Sequence, residues 1–146
     1  MIVRRETVVP AAPEDVWRLV SDPGRLPAWW PGVTRVEEAT SEAWTTVLGS
    51  PRGKAVRADY TRVAAEPFSR LVWRQEVDES PFERILAEAV TTVELAPEEG
   101  GTRVAIALDQ KPRGWARLAP LQLRRAGLRQ VEGALEGLRD QYEASS

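Results

Sequence analysis

The side chains able to do chemistry in this chain are few, because its 146 residues contain no His and no Cys. Those absences exclude thiolate nucleophiles, His-based triads and metal centres held by Cys or His. Proton transfer would depend on a tyrosine such as Tyr60, a carboxylate, or water polarised by an arginine such as Arg124. Strand alternation places Asp59 and Glu76 on outward faces, and no carboxylate pair, Glu88 included, has a spacing that requires acid–base catalysis. The catalytic residues are undetermined, with Tyr60 and Arg124 as candidates, and no cofactor or metal is predicted.

Several polar and aromatic residues lie on strand faces that alternation predicts to be inward. Tyr60, Gln75 and Thr91 are such residues, and a buried hydroxyl or amide is either satisfied internally or orients a ligand. Trp73 shares a face with apolar neighbours and is predicted to form a cavity wall, while Trp30 is a candidate for the cavity entrance. The alternative is that these rings only fill the core. The face on which Trp44 lies is not determined by the pattern.

The C-terminal segment carries an apolar stripe at helical spacing. Its members are Leu128, Val131, Leu135, Leu138 and Tyr142, which recur at three- and four-residue steps. Counting back in steps of about 100° per residue places Arg124 on the same stripe, facing a cavity or its mouth. A buried guanidinium there would need a carboxylate, carbonyls or an anionic ligand, and the alternative is that Arg124 extends to water near the helix start at Pro120.

Residues 110–131 contain six basic residues and no acid, namely Lys111, Arg113, Arg117, Arg124, Arg125 and Arg129. Apolar residues interleave with them. The stretch is either a surface for a membrane or an anionic ligand, or a solvated face paired with acids elsewhere.

The elements that must position these residues follow from periodicity and turn chemistry. Ile2–Val9 is predicted as a strand, Pro13 begins a helix that ends near Val20, and Asp22 caps a short helix from Pro23 to about Trp29. Six more strands follow, joined by connections too short for parallel crossovers. Their predicted ranges are Val33–Glu38, Ala43–Leu48, Ala55–Ala64, Arg70–Val77, Ile85–Leu95 and Thr102–Asp109. One face of this meander is apolar, and the C-terminal helix is expected to cover it. Gly127, Gly133 and Gly137 in that helix indicate either close approach to a neighbour or tolerated loss of stability.

The composition limits the classes of partner that this chain is expected to bind. The chain contains 42% apolar residues, as a globular domain does. Its 20 basic and 22 acidic residues give a net charge of −2, so it lacks the basic field typical of nucleic-acid binding. No apolar run is long enough to span a membrane, and the first residues lack the pattern of a signal peptide, so a cytoplasmic location is expected. A monomer and a homodimer are both compatible with the sequence.

Two N-terminal segments resemble a known superfamily. They read VPAAPEDVW over 9–17 and DPGRLPAWWPGV over 22–33, with weaker support from RLVW at 70–73 and GGTRV at 100–104. With the element order, they resemble the START-like or SRPBCC superfamily, nearest its polyketide cyclase/dehydrase-type branch. The resemblance implies one START-like domain over 1–146 with the α+β helix-grip fold. In that fold a curved antiparallel sheet of about seven strands wraps around a long C-terminal helix, two short helices follow strand 1, and a ligand cavity lies between sheet and helix.

A fold shared this widely does not name a function, so three hypotheses stand. The first is binding of a small apolar or aromatic molecule, lipid-like or polyketide-like, in the cavity. The second is an enzyme of the cyclase, aromatase or dehydratase kind, and the third is a protein-interaction module as in the heat-shock-protein activator-like branch. The candidate ligand-binding residues are Trp30, Tyr60, Trp73, Gln75, Thr91, Arg124 and Leu128.

Overall fold

A seven-stranded antiparallel sheet and a long C-terminal helix make up most of the molecule. The computed structural model describes residues 1–49 and 53–143. The strands are β1 (Ile2–Val9), β2 (Val33–Glu37), β3 (Ala43–Leu48), β4 (Val56–Glu66), β5 (Arg70–Glu76), β6 (Leu86–Glu98) and β7 (Gly101–Pro112), and the helices are α1 (Pro13–Val20), α2 (Leu26–Trp29) and α3 (Pro120–Glu143). The sheet order is β1-β7-β6-β5-β4-β3-β2. The expected α+β helix-grip fold, with its curved sheet, long C-terminal helix and short helices after β1, is confirmed.

The connection between β1 and β2 follows its local sequence signals. α1 begins at Pro13, whose missing N–H is not needed in the first turn. The carboxylate of Asp22 accepts a hydrogen bond from the Gly24 N–H at 3.0 Å, as a cap does. The single short helix expected over 23–29 is instead a 3₁₀ turn, Pro23–Arg25, followed by α2.

The strands β2 to β7 form the predicted meander, and β1 pairs with β7. β6 and β7 extend beyond their predicted ends, because the pairs from Glu98↔Gly101 to Leu86↔Pro112 continue the ladder through residues without an alternating pattern. The predicted turn over 49–53 has its three central residues outside the described part of the chain.

The core lies between the sheet and α3. Val131, Leu135 and Leu138 are buried, whereas Leu128 and Tyr142 are partly buried against the same cluster. Trp29 is buried, while Trp17 is only partly buried and lies edge-on to Phe68, with ring centroids 6.2 Å apart.

The glycines of α3 mark close approach to neighbouring elements. A Cβ at Gly137 would lie 2.3 Å from the carbonyl oxygen of Trp29, so this position cannot carry a side chain without backbone movement. Contacts at Gly133 and Gly127 would be milder, 3.1 Å from Pro31 and 3.2 Å from Val3, both to side-chain atoms. Of the two explanations for these glycines, the structure therefore favours close approach, at Gly137 above all. Within the described residues, no helix combines the length and apolar character needed to cross a bilayer.

Candidate ligand-binding cavity

A cavity of about 230 Å³ lies between the sheet and the N-terminal half of α3. Most of its wall is apolar or aromatic. Its lining residues are Leu26, Trp30, Val33, Trp44, Thr46, Leu48, Tyr60, Trp73, Gln75, Phe82, Ile85, Leu86, Ala89, Thr91, Leu108, Gln110, Leu123, Ala126 and Gln130. The exposed Ala126 and the partly buried Leu123 and Gln130 lie on α3 and also line a more open surface groove. We take this side as the mouth of the cavity.

Strand register places the predicted residues of the sheet side by side. Trp44 on β3 is opposite Tyr60 on β4, which is opposite Gln75 on β5. Because residues directly opposite in a sheet point to the same side, all three side chains reach the cavity. A second row runs from Trp73 on β5 to Thr91 on β6 and on to Leu108 on β7.

Four aromatic rings form a continuous wall. The ring of Trp73 lies 5.8 Å from that of Trp30 and 6.0 Å from that of Trp44, both edge to face. The ring of Trp44 is stacked on Tyr60 at 6.0 Å with an interplanar angle of 13°. The guanidinium of Arg62 lies 5.6 Å from the centroid of the Trp44 ring, within cation–π distance. Edge-to-face and offset-stacked contacts are the arrangements that aromatic pairs prefer.

Tyr60 is protonated throughout the physiological pH range. Burial raises the pKa of Tyr60 to about 12, and a hydrogen bond with Thr46 opposes part of this shift. The phenol can therefore donate a proton in a hydrogen bond, but its phenolate is not available as a base near neutral pH.

Two hydrogen-bond donors in the wall have no partner among the described residues. They are the Nε2 amide of Gln75 and the indole N–H of Trp44, and both atoms are buried. Buried donors are normally paired, and leaving one unpaired costs about 1–3 kcal/mol. Both residues belong to the row Trp44–Tyr60–Gln75 that lines the cavity.

The lining within the described residues contains no Asp, Glu, Lys or Arg. An ionised group inside this cavity would lose its hydration without an opposite charge to replace it, which is strongly unfavourable. The site therefore suits an uncharged ligand, or one whose charge stays outside the mouth.

Two predicted site residues lie elsewhere. Arg124 is exposed, and its Nη1 atom lies 3.4 Å from the carbonyl oxygen of Ile2, the outward alternative left open by the sequence. Leu128 packs against the core and does not line the cavity. The reason is that two different faces of α3 contact the rest of the molecule. The face with Leu128 and Val131 packs on the core, while a different face, with Leu123, Ala126 and Gln130, covers the cavity.

Sequence reasoning missed several lining residues. Gln110 could have been found, because it lies two positions from Leu108 on a clearly alternating strand, whereas Thr46 lies two positions from Trp44, whose face the pattern left open. Phe82 and Ile85 lie between β5 and β6 and carry no periodic signal. Gln130 and Ala126 form a polar and small helical face, which a search for apolar residues does not detect.

The antiparallel sheet closed by α3 over an internal cavity defines a ligand-binding fold of the START-like or SRPBCC type. A family model described as "Polyketide cyclase / dehydrase and lipid transport" matches residues 1–143. The chain belongs to this family.

Solved structures with the same fold are similar over nearly the whole chain. The protein TTHA0849 from Thermus thermophilus is 24% identical, with a TM-score of 0.78, and the match covers 100% of this chain and 99% of that one. A START superfamily protein from Mycobacterium smegmatis is 13% identical, with a TM-score of 0.77 and 99% of each chain covered. The di-domain ARO/CYC StfQ of the steffimycin biosynthetic pathway is 18% identical, with a TM-score of 0.78. The match covers 99% of this chain but only 51% of StfQ. A search of curated proteins finds no match.

Proposed function

We propose that this protein binds an uncharged apolar or aromatic molecule in the cavity between its sheet and α3. The observation that carries the proposal is a cavity wall built from four packed aromatic rings and, within the described residues, no charged side chain. Such a wall gains from excluding water around an apolar ligand and loses from burying an ion. The family to which the chain belongs includes lipid transport in its description, which agrees with a binding role.

The cavity volume limits the size of the ligand. An apolar cavity of about 150 Å³ holds one benzene molecule. The 230 Å³ found here is larger by about half, so one or two fused rings, or the end of a single chain, fit inside. A larger molecule would have to extend through the mouth beside Ala126.

The unpaired donors add a chemical preference. A ligand with a ketone, ester or similar neutral oxygen would satisfy the donors of Gln75 and Trp44, whereas a pure hydrocarbon would leave them unpaired. The preferred ligand is therefore a small aromatic or aliphatic molecule with an acceptor oxygen at its buried end.

The test is native mass spectrometry of the purified protein, followed by titration of its tryptophan fluorescence with naphthalene and acetylnaphthalene. Saturable binding is expected, and Ala126→Trp should weaken it by blocking the mouth. Ala96→Trp, at an exposed strand position outside the cavity lining, is the matched control and should bind normally. Absence of any adduct together with absence of binding to both probes would contradict the proposal, as would equal binding by the blocked variant.

A cyclase or dehydratase activity is the second candidate, favoured by the protonated phenol of Tyr60 in the cavity wall. Tyr60 would hydrogen bond to a substrate carbonyl and promote an aldol or dehydration step as a donor. Turnover should then fall in Tyr60→Phe and persist in Arg124→Ala, because Arg124 lies outside the cavity. Full activity in Tyr60→Phe would remove this residue from the mechanism.

A further inference from the structure

An exposed apolar cluster lies where β7 leads into α3. Trp115 is 68% exposed, Leu118 87% and Leu121 55%, within seven consecutive residues. The cluster occupies the 3₁₀ turn Gly114–Leu118 and the first turn of α3. Isolated exposed apolar residues are ordinary, but three large ones in succession indicate an interaction surface.

The cluster lies at the same end of α3 as the cavity. Leu123, two residues beyond Leu121, lines the cavity and packs against the small buried cluster of Val77, Leu86 and Ala89. The preceding turn is held by a hydrogen bond from the Arg113 N–H to the Ile85 carbonyl at 2.8 Å. Residues two apart on a helix point about 200° apart, so Leu121 and the cavity-lining Leu123 belong to different faces of this end of α3.

Arginines without carboxylate partners surround the cluster. Arg117, Arg125 and Arg129 are exposed and form no ion pair or side-chain hydrogen bond among the described residues, and Arg124 touches only a backbone carbonyl. Elsewhere in the described residues, ion pairs between arginine and a carboxylate are common. Arg103, for example, contacts both Glu6 and Glu98.

Among the described residues, acids in the loop between β5 and β6 form no ion pair with these arginines. Asp78 pairs with Arg113 at 3.8 Å, and the Glu83 carboxylate accepts a hydrogen bond from the Glu79 N–H. Lys111 is likewise held by Glu88 at 2.8 Å. The basic stretch is thus divided: its beginning is paired with acids, while residues 117–129 retain free positive charge.

We propose that Trp115, Leu118 and Leu121, with Arg117, Arg124 and Arg125, form a docking surface for an anionic lipid bilayer. The occupant is chosen on charge and shape. The exposed leucines and the tryptophan would insert among lipid acyl chains at the membrane interface. The neighbouring arginines, which have no carboxylate partner, would bind anionic headgroups. Docking would hold the cavity-bearing end of the molecule at the bilayer surface. This extends the proposed function, but vesicle binding is measurable without any cavity ligand, so either proposal can fail alone.

The experiment is flotation of the full chain with vesicles of phosphatidylcholine alone or mixed equally with phosphatidylglycerol. Binding to the mixed vesicles is expected, with weaker binding at high salt because headgroup charge is screened. Arg125→Gln should weaken it by about fivefold, and Leu118→Ser by about tenfold or more. Both side chains are exposed, so folding should be unaffected.

Two controls match these variants in residue type and exposure. Arg18→Gln removes an arginine that is 72% exposed on α1 and paired with Asp15, and Val63→Ser removes an apolar residue that is 54% exposed on β4. Neither should change vesicle binding. The proposal is overturned if the wild-type chain does not bind mixed vesicles, or if the controls weaken binding as much as Arg125→Gln and Leu118→Ser. It is equally overturned if those two variants abolish binding to an acidic protein but leave vesicle binding intact.

Discussion

Replacing Gln75 with methionine is expected to stabilise the ligand-free protein while weakening its binding of oxygen-bearing ligands. Gln75 is buried in the cavity wall, and its Nε2 donor has no partner among the described residues. Methionine has a similar length and flexibility but no donor, so the substitution removes an unpaired polar group without leaving a hole.

The two effects have different magnitudes. A buried unpaired donor costs about 1–3 kcal/mol, and imperfect packing of the new side chain offsets part of that gain, so the free energy of unfolding should rise by about 1 kcal/mol. A neutral hydrogen bond to a ligand contributes about 0.5–1.5 kcal/mol net. The ratio of affinities for acetylnaphthalene and naphthalene should therefore fall by about two- to twelvefold.

Urea unfolding measures the first effect, and titration of tryptophan fluorescence with the two probes measures the second. Gln130→Met is the matched control, because Gln130 also lines the cavity but lies on α3 and is only partly buried, so its amide can reach water. It should change stability little. A loss of stability in Gln75→Met together with an unchanged affinity ratio would refute the reasoning, since the amide would then serve packing and not ligand recognition.

Two further predictions concern the helix and the phenol. Gly137→Ala should lower the free energy of unfolding by about 1–3 kcal/mol, since the added methyl would lie 2.3 Å from the Trp29 carbonyl oxygen. Gly133→Ala, which would meet only a side chain at 3.1 Å, should be near neutral in the same urea titration, and similar losses in both would contradict the contact argument. In Tyr142→Phe, where Tyr60 is the only tyrosine, phenolate absorbance should appear with a midpoint of about pH 12. Folding raises the pKa of Tyr60 above its ordinary value of about 10. The contribution of Tyr60 to stability is therefore fully present below pH 10 and is lost as the pH rises towards 12. A midpoint near the ordinary value in protein that is still folded would contradict the burial of Tyr60.

Much of the fold follows from local sequence. Alternating apolar residues separated by turn residues predict the strands, and the short connections permit only an antiparallel meander. Pro13 and Asp22 predict where the first helices begin. Local signals fail where pairing extends a strand beyond its pattern, as at the ends of β6 and β7.

For the cavity, the sequence determined which way a strand residue points. Alternation is enough to turn Tyr60, Trp73, Gln75 and Thr91 to the concave side, because successive side chains on a strand face opposite sides. The structure places all four in the lining of one cavity. Alternation alone could not put Tyr60 opposite Gln75, since that depends on register.

Helical periodicity determined less. It predicted the core-facing stripe of α3, but a helix can present different faces to different neighbours along its length. Arg124 lies in line with the stripe by count, yet it is exposed near Ile2. Whether a position on the stripe is covered depends on what packs there, and only the tertiary structure decides that. The free volume, the unpaired donors and the absence of charge in the described lining are likewise tertiary properties, because each depends on residues brought together from distant parts of the chain.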